Sequence, residues 1–161
     1  MMRRGGFTLT ELSVALALIA LALAVLSPLL VRGRGSARRS TCMSNLRNLG
    51  LAIQMYSYDH DGFFPPASTG LRGIDEYVRN RDTYRCPAAS YHVSVDEGFI
   101  IDYVYRPGFS NESLAGEPVA ADSRARHQGG ANVVTADASA HWYPASRWRT
   151  FFADVEGSEE R

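Results

Sequence analysis

The hydrophobic residues of this 161-residue chain are concentrated in one block near its start. Residues 12–31, LSVALALIALALAVLSPLLV, contain no charged side chain. At about 1.5 Å per residue, a helix of that length spans roughly 30 Å, the thickness of a bilayer's hydrocarbon core. A secretory signal peptide has a shorter apolar region, of about 7–15 residues. We therefore predict a retained membrane helix over residues 7–31.

A second hydrophobic pattern follows the block and has the period of a helix. Its apolar positions recur at spacings of four, three, four and three: Cys42, Leu46, Leu49, Ile53 and Tyr56. This spacing places them on one face, and polar residues at 44, 45, 47 and 48 take the other. The pattern predicts that the helix continues through residues 32–58 and packs its stripe against a globular domain.

Shorter hydrophobic runs follow a turn cluster at residues 59–66, DHDGFFPP. We predict a short helix at residues 73–79 and strands at residues 99–105, 118–121, 131–136 and 140–143, the last two joined by a hairpin turn. Strands that follow one long helix indicate an α+β fold, with a small antiparallel sheet laid on the helix's apolar stripe.

The same patterns predict five segments along the chain. They are a basic leader (1–6), a transmembrane helix (7–31), its amphipathic continuation (32–58), a small globular α+β domain (59–153) and an acidic tail (154–161).

Composition narrows the possible chemistry. Seventeen basic residues balance seventeen acidic ones, so no net field draws the chain to nucleic acid, and none is expected as a partner. All the basic residues are arginine, and the absence of lysine excludes Schiff-base chemistry and a P-loop. Two cysteines alone are too few for a zinc site. We expect no cofactor.

The four histidines and three of the carboxylates could form a metal cluster: His60, His92, His127 and His141 with Asp59, Asp61 and Asp137. No histidine pair has the H-x-x-x-H spacing, so no metal is predicted there. We expect His127 instead to orient the glycine turn at residues 129–130 by hydrogen bonding.

Two further sites are possible on paper. Ser139, His127 and Asp122 could form a hydrolytic triad, but the chain has no G-x-S-x-G motif, so we expect no catalytic residues. Residues 59–62, DHDG, offer the oxygen ligands that Ca²⁺ prefers, yet lack the terminal glutamate of an EF-hand. A solvated turn is the favoured interpretation.

Glu11 stands at the start of the apolar run, where a charge is costly. Insertion scales put the cost at about 2.5–3.5 kcal/mol at a bilayer centre. If the chain were cut after Gly6, the new amino group of Phe7 would lie four residues before Glu11, on the same helix face. The two could pair within one chain or between neighbours; alternatively, Glu11 lies at the membrane interface at little cost.

Residues 6–11, GFTLTE, after a basic leader and before the apolar run, resemble the class III leader of type IV prepilins and type II secretion pseudopilins. The resemblance implies cleavage after Gly6 by a prepilin peptidase, N-methylation of Phe7 and an assembly role for Glu11. It also implies a single-pass protein of the bacterial inner membrane that contacts lipid and other pilin-like subunits. Its globular domain would be exported, although four arginines after the run oppose the positive-inside rule.

The globular part is similar to a subgroup of prepilin-like proteins with a processing-associated motif, His, nine residues, then Asp-Gly. His127 and Asp137 have this spacing, and residues 42–50, residues 86–87 and Trp142 fit the motif's surroundings. The chain departs from the motif at Ala138, in place of glycine, and at Ser139, in place of the common histidine.

Cys42 and Cys86 are predicted to form a disulfide. Both follow the membrane block on the side expected to be exported, where oxidation is favoured. Cys42 begins the apolar stripe, and Cys86 lies in a loop that must pass close to the helix in so small a fold. The alternative is two separate buried thiols.

Three function classes follow. The first is a structural subunit that polymerises into a type IV pilus or a secretion pseudopilus. The second is a membrane-anchored exported module that binds a ligand such as a glycan, and the third is an exported anchored enzyme. The first two classes share every feature up to residue 58, so the sequence separates them poorly.

Overall fold

The computed structural model describes residues 8–89, 94–96, 99–124 and 127–156. The chain divides into two compact units, Met1–Ser36 and Ala37–Arg161, which are described separately. Helix α1 (Leu9–Asp59) supplies residues to both. Its end lies one residue beyond the predicted one, so the continuation of the apolar helix into an amphipathic segment is confirmed.

The first unit contains an apolar helical stretch, Leu9–Ser27, with a mean hydropathy of 2.4. None of it is buried, and its leucines are more than half exposed, as Leu12 (55%) and Leu21 (64%) illustrate. By length and composition this stretch is able to cross a membrane.

The described residues of the second unit form two antiparallel sheets. The smaller pairs β1 (Ser94–Asp96) with β2 (Phe99–Ile100). The larger has four strands in chain order: β3 (Tyr103–Tyr105), β4 (Pro118–Asp122), β5 (Gly130–Thr135) and β6 (Ala140–Pro144). Two 3₁₀ helices, Gly70–Tyr77 and Arg81–Tyr84, precede the sheets, and helix α2 (Ala145–Glu156) follows them.

The larger sheet is covered by a helix on each face. Cys42, Leu46, Leu49 and Ile53 of α1 are buried in one cluster with Val134 of β5, which confirms the predicted stripe; Tyr56 packs at its edge. The neighbouring residue, Val133, points to the opposite face and packs with Trp148 and Phe152 of α2. Every residue of β5 is therefore buried.

The predicted strand at residues 99–105 is wrong as a single element. The chain leaves the strand path at Asp102, whose backbone N–H donates to the Tyr84 carbonyl (2.9 Å). Its buried carboxylate accepts from the Cys86 N–H (2.8 Å). These bonds join the segment to the preceding loop, so β2 and β3 belong to different sheets.

Helix α2 was not predicted, and it extends to Glu156, into the segment expected to be an acidic tail. Its signal was present: Trp148 and Phe152 are four residues apart and are 1% and 0% exposed. The backbone departs from helical geometry at Phe152 (φ −125°, ψ 17°). The aromatic pair makes α2 the second layer over the sheet.

Close packing of α1 on the sheet depends on Gly50. A Cβ added there would lie 2.6 Å from Val134 Cγ2 and 3.1 Å from Ala138 Cα. We expect Gly50→Ala to destabilise the fold by about 1–3 kcal/mol, as overpacking does. Gly116→Ala is the control, since its Cβ would meet nothing within 4 Å. Denaturant unfolding of the full chain in detergent measures both; equal stabilities would contradict this packing.

Candidate functional site

The start of α1 is closed by a reciprocal cap between Thr8 and Glu11. The Glu11 carboxylate accepts from the Thr8 backbone N–H (2.9 Å) and hydroxyl (2.8 Å). In return, the Thr8 hydroxyl accepts from the Glu11 N–H (3.3 Å). This is a capping box, which the T-x-x-E spacing signals in the sequence and which the sequence analysis missed. Within one chain, Glu11 thus has partners in its own helix.

The two predicted processing residues, Gly6 and Phe7, lie outside the described residues. The pairing of Glu11 with the Phe7 amino group therefore stays a prediction. Thr8 is the first residue that the structure describes. Glu11 lies in the solvent-exposed first part of α1.

A buried group of side chains lies where α1 meets the loop after the second 3₁₀ helix. A disulfide joins Cys42 of α1 to Cys86 of the loop, with the Cα atoms 5.2 Å apart. Both cysteines have no solvent exposure. The bond links residues 44 positions apart and fixes the loop on the helix.

His127 and Asp122 complete this group. His127 Nε2 lies 3.6 Å from Cys86 Sγ and 3.3 Å from Asp122 Oδ2. Asp122 stands at the end of β4 and has no exposure; His127 precedes β5 and is 4% exposed. The Asn132 N–H donates to Asp122 Oδ2 at 2.7 Å. We call Cys42, Cys86, Asp122 and His127 the buried quartet.

His127 is hydrogen-bonded to the glycine turn at residues 129–130 through its backbone. The turn is held by its backbone, because the His127 N–H donates to the Gly130 carbonyl (2.9 Å) and the Gly130 N–H donates to the His127 carbonyl (3.2 Å). That carbonyl also accepts from Trp142 Nε1 (3.0 Å). The imidazole is directed instead at Cys86 and Asp122.

Asp137 lies in the β5–β6 turn and not in the buried quartet, so the structure separates it from His127's described partners. Its carboxylate accepts from the Thr135 hydroxyl (2.5 Å) and from the Ser139 N–H and hydroxyl (both 3.0 Å). These bonds, led by that from Thr135, hold the pKa of Asp137 below its usual value. Ser139 is thus bonded to Asp137, while His127 pairs with Asp122, so the described contacts do not assemble the hydrolytic triad.

Ala138 keeps the left-handed conformation of the turn, with a φ of 61°. This conformation is ordinarily favoured by glycine, which the related motif has at this position. Ala138 therefore adopts this conformation at a cost of about 1–2 kcal/mol.

The Asp59 carboxylate, at the end of α1, forms a hydrogen bond within the fold. Asp59 accepts from the Tyr77 hydroxyl at 2.8 Å, which raises the pKa of Tyr77. The His60 ring stacks on Tyr56 with 3.6 Å between centroids. Asp61 and Gly62 have positive φ values of 51° and 85°, so the segment is a tight turn that ends the helix.

A surface cleft of about 410 Å³ opens beside the disulfide. Polar residues of α1 and of the second 3₁₀ helix with its N-cap line this cleft, among them Thr41, Asn45, Asn80 and Thr83. The Asn45 side chain donates to the Arg85 carbonyl (2.9 Å), which holds the wall of the cleft to the helix.

Two known families match the chain. Residues 1–27 match the family described as the prokaryotic N-terminal methylation motif. Residues 32–104 match the family described as a protein of unknown function (DUF1559). No curated protein and no solved structure gives a significant match.

Residues 1–27 thus resemble the leader that is typical of pilin-like proteins, and neither matched segment covers half of the chain. The fold of the chain, a long helix with an apolar start and a small antiparallel sheet, agrees with that class. The leader and the apolar stretch fit a protein anchored in the inner membrane. Asp122, His127 and Asp137 lie beyond both matched segments, so membership of the H-x₉-DG subgroup stays a prediction.

Proposed function

We propose that this protein is a structural subunit of a pilin-like filament, either a type IV pilus or a type II secretion pseudopilus. A prepilin peptidase cleaves it after Gly6 and methylates the new amino group of Phe7. The mature chains then associate through their apolar helical starts, with the domains outside.

The observation that carries this proposal is the unburied apolar stretch Leu9–Ser27. A run of exposed leucines is stable in lipid or against copies of itself, and unstable in water. The second unit closes its own core on both faces of the larger sheet. The apolar stretch is therefore available to contact lipid before assembly and neighbouring helices after assembly.

The proposed orientation puts the second unit on the exported side. The disulfide between Cys42 and Cys86 supports this side, because disulfides persist in oxidising compartments and are rare in the cytosol.

Processing is tested by changing the residue before the cut. We expect Gly6→Val to leave the full-length precursor in the membrane, because a branched side chain at the scissile bond prevents cleavage. Intact-mass measurement of the wild-type membrane protein should show a chain that starts at Phe7 and carries one methyl group.

Gly5→Val is the matched control, because it makes the same change one residue further from the bond. It should be processed normally. A wild-type protein that retains Met1, or equal processing of the two variants, would contradict the proposal.

A further inference from the structure

The buried quartet has the composition of a metal site. It offers two sulfurs, one imidazole nitrogen and one carboxylate oxygen, and the four ligand atoms all lie within 4.8 Å of one another. Zn²⁺ binds four such donors in a tetrahedron, with bonds of about 2.0–2.3 Å. We propose that, when Cys42 and Cys86 are thiols, the quartet binds one Zn²⁺ in place of the disulfide.

The spacing around His127 fits this assignment. Tetrahedral bonds of 2.0–2.3 Å separate neighbouring donors by about 3.3–3.8 Å. His127 Nε2 lies 3.3 Å from Asp122 Oδ2 and 3.6 Å from Cys86 Sγ. Two of the six edges of the tetrahedron thus already have a suitable length, and the three others that do not join the two sulfurs are no longer than 4.8 Å. The two sulfurs, which are bonded to each other in the disulfide, would have to separate to the same range.

The surroundings favour a cation at this point. Asp122 is a carboxylate with no solvent exposure, and its Oδ1 has no hydrogen-bond partner among the described residues. A buried carboxylate in that state is costly unless a charge or a metal compensates it. The Asn132 N–H holds Oδ2 and the Asp102 carboxylate holds the Cys86 backbone, so supporting contacts orient two of the four ligands.

The metal and the disulfide exclude each other. Zinc binding needs both sulfurs as thiolates: two S–H bonds break, two Zn–S bonds form and two protons are released, without oxidation. The disulfide uses the same two sulfurs in a bond to each other. Zinc in the reduced chain would therefore fix the loop to α1 as the disulfide does, and would also hold the end of β4 and the turn before β5.

Cobalt substitution tests the site directly. The full chain in detergent is reduced, freed of metal with a chelator and titrated with Co²⁺ and with Zn²⁺. We expect one metal per chain, the visible bands of tetrahedral cobalt, a thiolate-to-cobalt charge-transfer band, and displacement of Co²⁺ by Zn²⁺. The oxidised chain should show none of these.

His127→Gln and Asp122→Asn separate the quartet from simple binding to two thiols. Each keeps both cysteines and should weaken Zn²⁺ binding at least tenfold, whereas His141→Ala removes an exposed imidazole outside the quartet and should have no effect. The oxidised forms of these variants report whether they fold.

A reduced chain whose melting temperature rises when zinc is added supports the proposal. A reduced chain that binds no metal, that fails to fold with zinc present, or that gives the same spectrum and affinity in His127→Gln and wild type overturns it.

Discussion

Replacing Glu11 by alanine is expected to leave the protein in the membrane and to abolish its incorporation into filaments. Membrane insertion should not suffer, because the change removes a charge from an apolar stretch. In the assembled bundle, the variant would leave a neighbour's Phe7 amino group without its partner. Loss of one member of a buried ion pair costs about 3–5 kcal/mol, which corresponds to at least a hundredfold weaker association. Fractionation and the yield of sheared filaments measure the two effects.

The capping box gives this experiment a control. Alanine removes both the charge of Glu11 and its bonds to Thr8, whereas Glu11→Gln removes the charge and keeps an acceptor for the Thr8 N–H and hydroxyl. We expect glutamine to fail as alanine does. Normal assembly of Glu11→Gln would show that Glu11 acts as a helix cap, and normal assembly of both variants would refute the pairing.

Reduction of the disulfide should have the second large effect. The bond closes a loop of 44 residues, and the chain-entropy estimate gives about 3–4 kcal/mol for such a loop. We expect the reduced second unit to melt roughly 10–15 °C lower. The measurement is made on the full chain in detergent with a chelator present, so that no metal replaces the bond.

The double variant Cys42→Ala, Cys86→Ala controls for the reductant. Its melting temperature should not change on reduction, because it has no bond to lose. An unchanged melting temperature of the wild type would mean that the bond contributes nothing to the folded domain.

The spacing of the hydrophobic residues predicted the helix and strands that are buried along one face or along their whole length. The apolar stripe that begins at Cys42 and the strands β4, β5 and β6 lie within a residue or two of their predicted bounds. The interruption at Asp102 could not be predicted, because it depends on a contact with the Cys86 backbone far along the chain. Helix α2 could have been predicted from the spacing of Trp148 and Phe152.

The candidate sites also differ in how far the sequence alone predicts them. The leader motif at Gly6, Phe7 and Glu11 is local, and the family match covers it. The members of the buried quartet come from α1, a loop, the end of β4 and the turn before β5. No spacing in the sequence therefore predicts the quartet. His127 was expected to serve a turn, yet only the folded chain shows its ring beside Asp122 and Cys86.

Incorporation of this chain into a filament can be measured directly. Surface filaments and membrane fractions can be purified from cells that produce the protein with a tag after residue 156, then examined by electron microscopy with gold-labelled antibody and by mass spectrometry. The account predicts label along or at the tip of thin filaments and a filament-bound chain that begins at methylated Phe7. A mature chain found solely as dispersed monomers in the membrane, under conditions where filaments form, would contradict it.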